Sequence, residues 1–218
     1  MDRAGGRRGR AALDHLLWAG PDLDAAVADL HARSGVRALP GGSHPELGTR
    51  NALARLGNGT FLEVIAPDPS LPQGAFAERL SGLAAPELLM WAARTDDAAA
   101  LVARAQEGGY RALVTDGSRA RMDGHVVRWK NVFVTGHGAG ALVPFLVQWV
   151  GAEHPSLDAP PGLELLSFRI ETRLPQALRA VLAALGIAVA VREGRKDRLV
   201  AELNTPKGPI TLASAAAS

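Results

Sequence analysis

The 218-residue chain has no cysteine. That removes disulfide scaffolds, cysteine-ligated zinc, iron–sulfur clusters and thiol catalysis together, and leaves His, Asp, Glu or backbone oxygen to hold any metal. A surplus of one charge sign is also missing. The formal net charge is +2, the first ten residues (Arg3, Arg7, Arg8 and Arg10 against Asp2) carry +3, and the remainder is therefore −1. No basic run builds a phosphate-binding surface, so no nucleic-acid partner is expected. Long apolar runs are lacking too. The basic start is not followed by the apolar stretch of a secretory signal, and the uncharged stretch 131–152 is interrupted by glycines, Pro144 and His137, unlike a spanning helix. The expected setting is cytoplasmic, without a membrane. There is no Gly-x-Ser-x-Gly elbow and no phosphate loop, and Gly136-His137-Gly138-Ala139-Gly140 lacks the spacing and following helix of a dinucleotide fingerprint. What remains is an ordinary globular composition, 47% hydrophobic and 21% charged.

Between a Gly/Arg-rich tail (1–11), expected to be disordered, and a fraying end (214–218), one pattern repeats. The strand Leu13–Ala19 runs into Gly20-Pro21-Asp22, and a helix follows with Leu23, Ala26, Val27 and Leu30 on one stripe. Asp22 suits its N-cap and Gly35 its stop. Strands near 36–39, 51–56 and 60–66 complete a β-α-β-β-β unit, the last two joined by Gly57-Asn58-Gly59, a hairpin signal. The order recurs with strand 87–95, helix 97–107 and strands 111–115, 125–134 and 141–149. It recurs again with strand 163–171, a helix opened by Pro175, and strands 189–192, 198–203 and 209–212. The helix-stopping glycines Gly35, Gly109 and Gly186 lie 74 and 77 residues apart. A Pro- and Gly-rich linker, 153–162, precedes the third unit. The fold class expected is α+β, with paired βαβββ modules at 12–150 (12–67 and 87–150) and a third βαβββ-like module at 160–213. An unpaired third sheet would expose a face and an edge, so it must pack on the first two modules or pair with its copy, and a homodimer is expected.

Leu13-Asp14-His15-Leu16 with Asp22-Leu23-Asp24, then Gly41-Gly42-Ser43-His44-Pro45 with Gly48-Thr49-Arg50-Asn51, then Phe61-Leu62-Glu63-Val64-Ile65-Ala66-Pro67, together resemble the vicinal-oxygen-chelate superfamily, which includes glyoxalase I, the bleomycin-resistance proteins and the extradiol dioxygenases. Within it the chain is most similar to the glyoxalase-like domain proteins. The resemblance is strong over 12–67, fair over 87–150 and weak beyond. It implies two modules enclosing a cup, with ligands from the first and fourth strand of each holding a divalent ion that chelates neighbouring substrate oxygens.

Strand alternation places Leu13, His15 and Leu17 on one face, and Phe61, Glu63 and Ile65 on one face. A carboxylate among Phe and Ile is costly unless it is paired or metal-bound. His15 and Glu63 match the ligand positions of the resembled family and are the candidate metal ligands. A buried His–Glu hydrogen bond, or Glu63 paired with Arg50, satisfies the same groups without metal. Aligning Asp24 with Asp97 sets Leu88 opposite His15, and the last strand sets Phe145 near the position of Glu63, so the second module supplies no obvious ligand; Ser167 and Leu212 stand there in the third. His44, in the Gly-rich loop, is the outside ligand or proton-transfer candidate. Arg50 and Asn51, together with Trp129, Asn131 and Gln148 from the second module, are the candidate substrate-binding residues. Two functions stand side by side: a divalent-metal-dependent lyase, isomerase or dioxygenase acting on a small oxygen-bearing molecule, and a metal-free small-molecule binding or sequestering protein.

Overall fold

A computed structural model describes residues 11–120, 124–151 and 154–215. The first unit comprises β1 (Ala12–Ala19), α1 (Leu23–Ser34), β2 (Leu39–His44), β3 (Thr49–Gly57) and β4 (Thr60–Pro67). A short helix that no sequence feature singled out, α2 (Ala75–Ser81), leads to the second unit: β5 (Glu87–Arg94), α3 (Ala98–Glu107), β6 (Arg111–Ala120), β7 (Val126–Thr135) and β8 (Phe145–Val150). The two helices start alike. Asp22 and Asp97 are extended N-caps whose carboxylates accept from Ala25 N and Ala100 N, satisfying amides that the first turn leaves unpaired. Gly35 closes α1 in the left-handed region. In the β3–β4 turn Asn58 has φ 50°, between Gly57 and Gly59, which are also at positive φ, as an Asn-Gly hairpin requires.

The two units form one closed barrel of strand order β1-β4-β3-β2-β6-β7-β8-β5. Each runs first-fourth-third-second, and the halves join where β1 meets β5 and β2 meets β6 antiparallel. Both faces of the barrel wall are covered, which is why β1 and β4 read as continuous apolar runs. Leu16, Trp18, Leu62, Val64 and Ala52 point outward into a core shared with α1 and α3, while Leu17 and Ile65 point inward. Leu13 packs with the outer cluster, not beside His15, because the β1–β5 register shifts between Leu13 and His15. That bulge breaks the simple alternation expected of β1.

The third unit keeps the element order but not the pairing. It is built from β9 (Glu164–Thr172), α4 (Pro175–Ala184), β10 (Ala190–Glu193), β11 (Arg198–Asn204) and β12 (Ile210–Ala213). Its sheet order is β10-β9-β11-β12, so the second strand pairs in parallel with the first, a place the fourth strand takes in the barrel units. The sheet has one apolar face. Phe168, Ile170, Leu199, Ala201 and Leu212 belong to the core shared with the barrel, whereas Arg169 turns away to pair with Glu202 and Glu171. β9 lies against β3, and β11 and β12 against β5, with the Trp91 ring 5.2 Å from Phe168. The face that argued for a homodimer is therefore covered by the chain's own barrel. Of the tail expected to be disordered, Ala11 is buried and bridges Ile187; residues 1–10 lie outside the described residues, as do 216–218. Ser214, expected to fray, hydrogen-bonds Leu88 O at 2.8 Å. Among the described residues no helix is long and apolar enough to cross a membrane.

Candidate active site

The inner faces of the barrel strands enclose a cavity of about 290 Å³. Its wall is largely apolar: Leu17, Leu53, Phe61, Met90, Phe133 and Phe145 come from six strands. A polar group sits among them, formed by His15, His44, Asn51, Glu63, Arg119 and Asn131. An apolar concavity with a few convergent polar groups is how small-molecule sites are built.

The β1 bulge places Asp14 beside His15, not across the strand from it. The Asp14 carboxylate is wholly buried and takes three donors: His15 Nδ1 at 2.6 Å, His154 Nε2 at 2.9 Å and Trp149 Nε1 at 3.2 Å. Burial by itself raises this carboxyl, but the hydrogen bonds from His15 and His154 outweigh it and hold the group well below the usual carboxylate range. An ionised carboxylate only accepts, so His15 carries its proton on Nδ1 toward Asp14, and Nε2 is left for the cavity. Glu63 Oε2 stands 3.5 Å from that Nε2. Glu63 Oε1 accepts from Asn51 Nδ2 at 2.5 Å. His44, the last residue of β2, lies 3.9 Å from Glu63 Oε1 and bonds Thr49 Oγ1 through Nδ1 at 3.0 Å. Burial pushes the His44 imidazole below its ordinary value; Glu63 pulls it up and Arg119 adds to the lowering. Gly41 is required beneath this cluster, since a Cβ there would overlap both Asn51 Oδ1 and Arg119 Nη1.

These shifts carry a sign. Asp14 ionises more easily folded than unfolded, so its contribution is complete above the ordinary aspartate value of 3.8 and is lost as pH falls below it. His44 resists protonation when folded, so stability also falls as pH drops below 6.5. Chemical unfolding at stepped pH should show a decline beginning near pH 6.5 and steepening below pH 4. His44→Gln should remove the upper phase and leave the lower.

Five of the eight residues singled out from sequence converge on the cavity besides His15: His44, Asn51, Glu63, Trp129 and Asn131. Two do not. Arg50 faces outward from β3, 3.7 Å from Asp24 on α1, and so does not pair with Glu63. Gln148 anchors the start of α3, accepting from Ala98 N at 3.0 Å and donating to Asp96 O at 3.2 Å. The corrected register also changes the counterpart of His15. The matching caps are Asp22 and Asp97, which set Met90 in that place; Met90 lines the cavity, whereas Leu88 belongs to the outer core. Leu17 pairs with Glu63 as Ala92 pairs with Phe145, so Phe145 holds the Glu63 position as expected. His154, in the expected linker, instead belongs to the site through Asp14, and Pro155 beside it lines the cavity. His137 serves its own turn, through Val134 O and Ala139 N.

The divalent ion implied by the family resemblance can be tested against these donors. His15 is held as metal-bound histidines are, its distal nitrogen fixed by a carboxylate, and Glu63 adjoins it. Beyond these two, His44 stands 3.9 Å from Glu63 Oε1 and the second half offers only Met90 and Phe145, and among the described residues no group of three or more His, Asp or Glu is arranged to hold a metal ion. Catalytic divalent centres are built on about three protein ligands. The donor set falls short of that.

The sequence model of the glyoxalase-like domain family matches residues 13–186. No curated protein matches the chain. Among solved structures, a hypothetical protein from Staphylococcus aureus is similar with a TM-score of 0.64 at 13% identity, over 93% of this chain and 85% of that one. Methylmalonyl-CoA epimerase from Mycobacterium tuberculosis is similar at 24% identity with a TM-score of 0.46, over 65% of this chain and 88% of that one. The Streptomyces coelicolor methylmalonyl-CoA epimerase in complex with 2-nitronate-propionyl-CoA is similar at 23% identity with a TM-score of 0.48, over 66% and 97%. The first is a likeness of fold, and the epimerase likenesses bear on neither activity nor substrate. The family match spans both barrel units and extends to the end of α4, and the barrel has the paired βαβββ architecture of the vicinal-oxygen-chelate superfamily: the chain belongs to the glyoxalase-like domain family.

Proposed function

We propose that the chain is an enzyme that moves a proton on a small, largely apolar, oxygen-bearing substrate held in the cup, with His15 as the acid–base group. One observation carries this reading. His15 Nε2 and Glu63 Oε2 are two acceptors facing each other at 3.5 Å, an arrangement complementary to one proton between them. Asp14 fixes the His15 tautomer and offsets the positive charge when Nε2 is protonated, the part a buried aspartate plays behind a catalytic histidine. Nε2 takes a proton from a substrate carbon next to a carbonyl, and the electron pair moves onto the carbonyl oxygen. The proton then returns to the same or the neighbouring position. Nothing is oxidised and no group leaves, so the class is isomerase. Arg119 supplies positive charge on the cavity wall, where developing oxyanion charge is stabilised. His44, kept neutral by burial, is the second group able to pass a proton.

Incubation in D2O with small 2-oxo and 2-hydroxy carbonyl compounds bearing apolar side chains, followed by proton NMR, tests the reading. Enzyme-dependent loss of the C–H signal next to the carbonyl is expected. Binding without exchange across the panel would return the cup to a sequestering protein, a reading favoured by the aromatic walls and by Met90 and Phe145 at the second half's ligand positions. The divalent-metal reading is tested on protein purified without chelator. Less than a stoichiometric ion is expected by elemental analysis; a bound ion lost in both His15→Ala and Glu63→Ala would make the pair a metal centre.

A further inference from the structure

The helix α2 belongs to neither barrel unit, yet it contributes to the cup. Its buried residues Ala77 and Leu80 fasten it to the barrel, where Leu80 shares an apolar cluster with Leu17 and Ile65. Phe76 and Arg79, three residues apart on one helix face, line the cavity together with Leu47. The segment leading into α2 is firmly held. Gly48 O accepts from Asp68 N at 2.9 Å, and Gln73 Nε2 donates to Asp68 O at 2.7 Å and to Leu71 O at 2.8 Å. The approach is so close that a Cβ on Gly48 would overlap Pro72 O. Arg79 is thereby set at the mouth, exposed to solvent and at the same time part of the cavity lining.

Three charged residues line the cavity: Glu63, Arg79 and Arg119. Glu63 accepts from Asn51 and adjoins His15. Arg119 is buried and engaged within the fold. Arg79 has no hydrogen-bond or ion-pair partner among the described residues, so it stands as an uncompensated cation at the edge of an apolar cup. A planar guanidinium fork matches a carboxylate in shape and in its single charge. The spacing follows from β4. Ile65, which clusters with Leu80 of α2, lies two residues beyond Glu63, a rise of about 7 Å. We infer that Arg79 binds a carboxylate at the far end of the substrate, separated from the reacting carbonyl by an apolar spacer of several carbons. This rests on the proposed function only in taking the cup as the substrate site.

The probes are 4-phenylbutanoate and 4-phenylbutanamide, which share one apolar body and differ in charge, with affinities measured by calorimetry at low ionic strength. The carboxylate is expected to bind the natural chain about five- to tenfold more tightly, and added salt should narrow the gap. In Arg79→Gln the preference should shrink to less than about twofold while the amide binds as before, and Arg79→Lys, which keeps the charge, should retain part of it. Arg79 lies on an exposed helix face, so the melting temperature of either variant should match that of the natural chain. Equal or undetectable binding of both probes by the natural chain, a preference that survives Arg79→Gln, or tighter binding of 3-phenylpropylphosphonate than of the carboxylate overturns the inference. The readout is affinity, so it separates from the proton-transfer reading: a carboxylate preference without deuterium exchange on any substrate defeats that reading alone, and exchange without the preference defeats this one alone.

Discussion

Trp91→Ala is expected to lower the melting temperature by about 6–20 °C. The Trp91 side chain is fully buried, its Nε1 donates to Leu142 O at 3.0 Å, and its ring meets Phe168 of the third sheet. Truncating a buried Trp costs roughly 3–5 kcal/mol, and in a chain of this size each kcal/mol moves the midpoint by about 2–4 °C. The loss sits at the seam between barrel and third unit, so amide hydrogen exchange should rise across 164–213 before it rises in β1 and β4. A midpoint shift below about 3 °C, or exchange rising evenly across the chain, would mean that the third unit does not depend on the barrel for its apolar face.

The second large effect is chemical. His15→Gln is expected to slow proton exchange by roughly 10²–10⁴-fold, the range lost with a positioned acid–base group. The amide keeps a donor for Asp14, and His154 and Trp149 keep theirs, so the melting temperature should move little. Asp14→Asn should also slow exchange, because a neutral amide neither enforces the Nδ1–H tautomer nor offsets an imidazolium. Glu63→Gln separates the roles within the pair: a loss as large as that of His15→Gln makes the carboxylate a partner in the transfer, and a small one makes it a positioning group. Exchange that persists above about a tenth of the natural rate in His15→Gln would place the base elsewhere, with His44 next in line.

Much of the architecture was legible residue by residue. Asp22, Gly35, Asn58 and Pro175 act locally, through a cap, a left-handed stop, a hairpin turn and a fixed first-turn φ, and local chemistry is what a sequence states directly. His15 and Glu63 were visible for a related reason. They are polar residues in runs otherwise apolar, and where both strand faces are buried only such residues mark the side that has a use for them. The readings that failed were those needing a neighbour distant in sequence. Arg50 and Asn51 are adjacent, and only the strand's facing decides that one meets Asp24 and the other Glu63. Gln148 resembled a cavity residue until α3 was found to start on it. Asp14 was hidden by a bulge, which alternation cannot foresee, and Arg119 carried no local signal.

From the sequence alone came the β-α-β-β-β order, its recurrence, the family, and the two polar residues at the heart of the cup, all consequences of hydrophobic period, turn chemistry and motif. Only the tertiary structure decided that the third unit pairs its strands differently, that Met90 and not Leu88 answers His15, that His154 returns across the chain to Asp14, and that two asparagines from opposite halves line one cavity. Those outcomes depend on strand register and on contacts between residues far apart in the chain, and neither is written in any short stretch of residues.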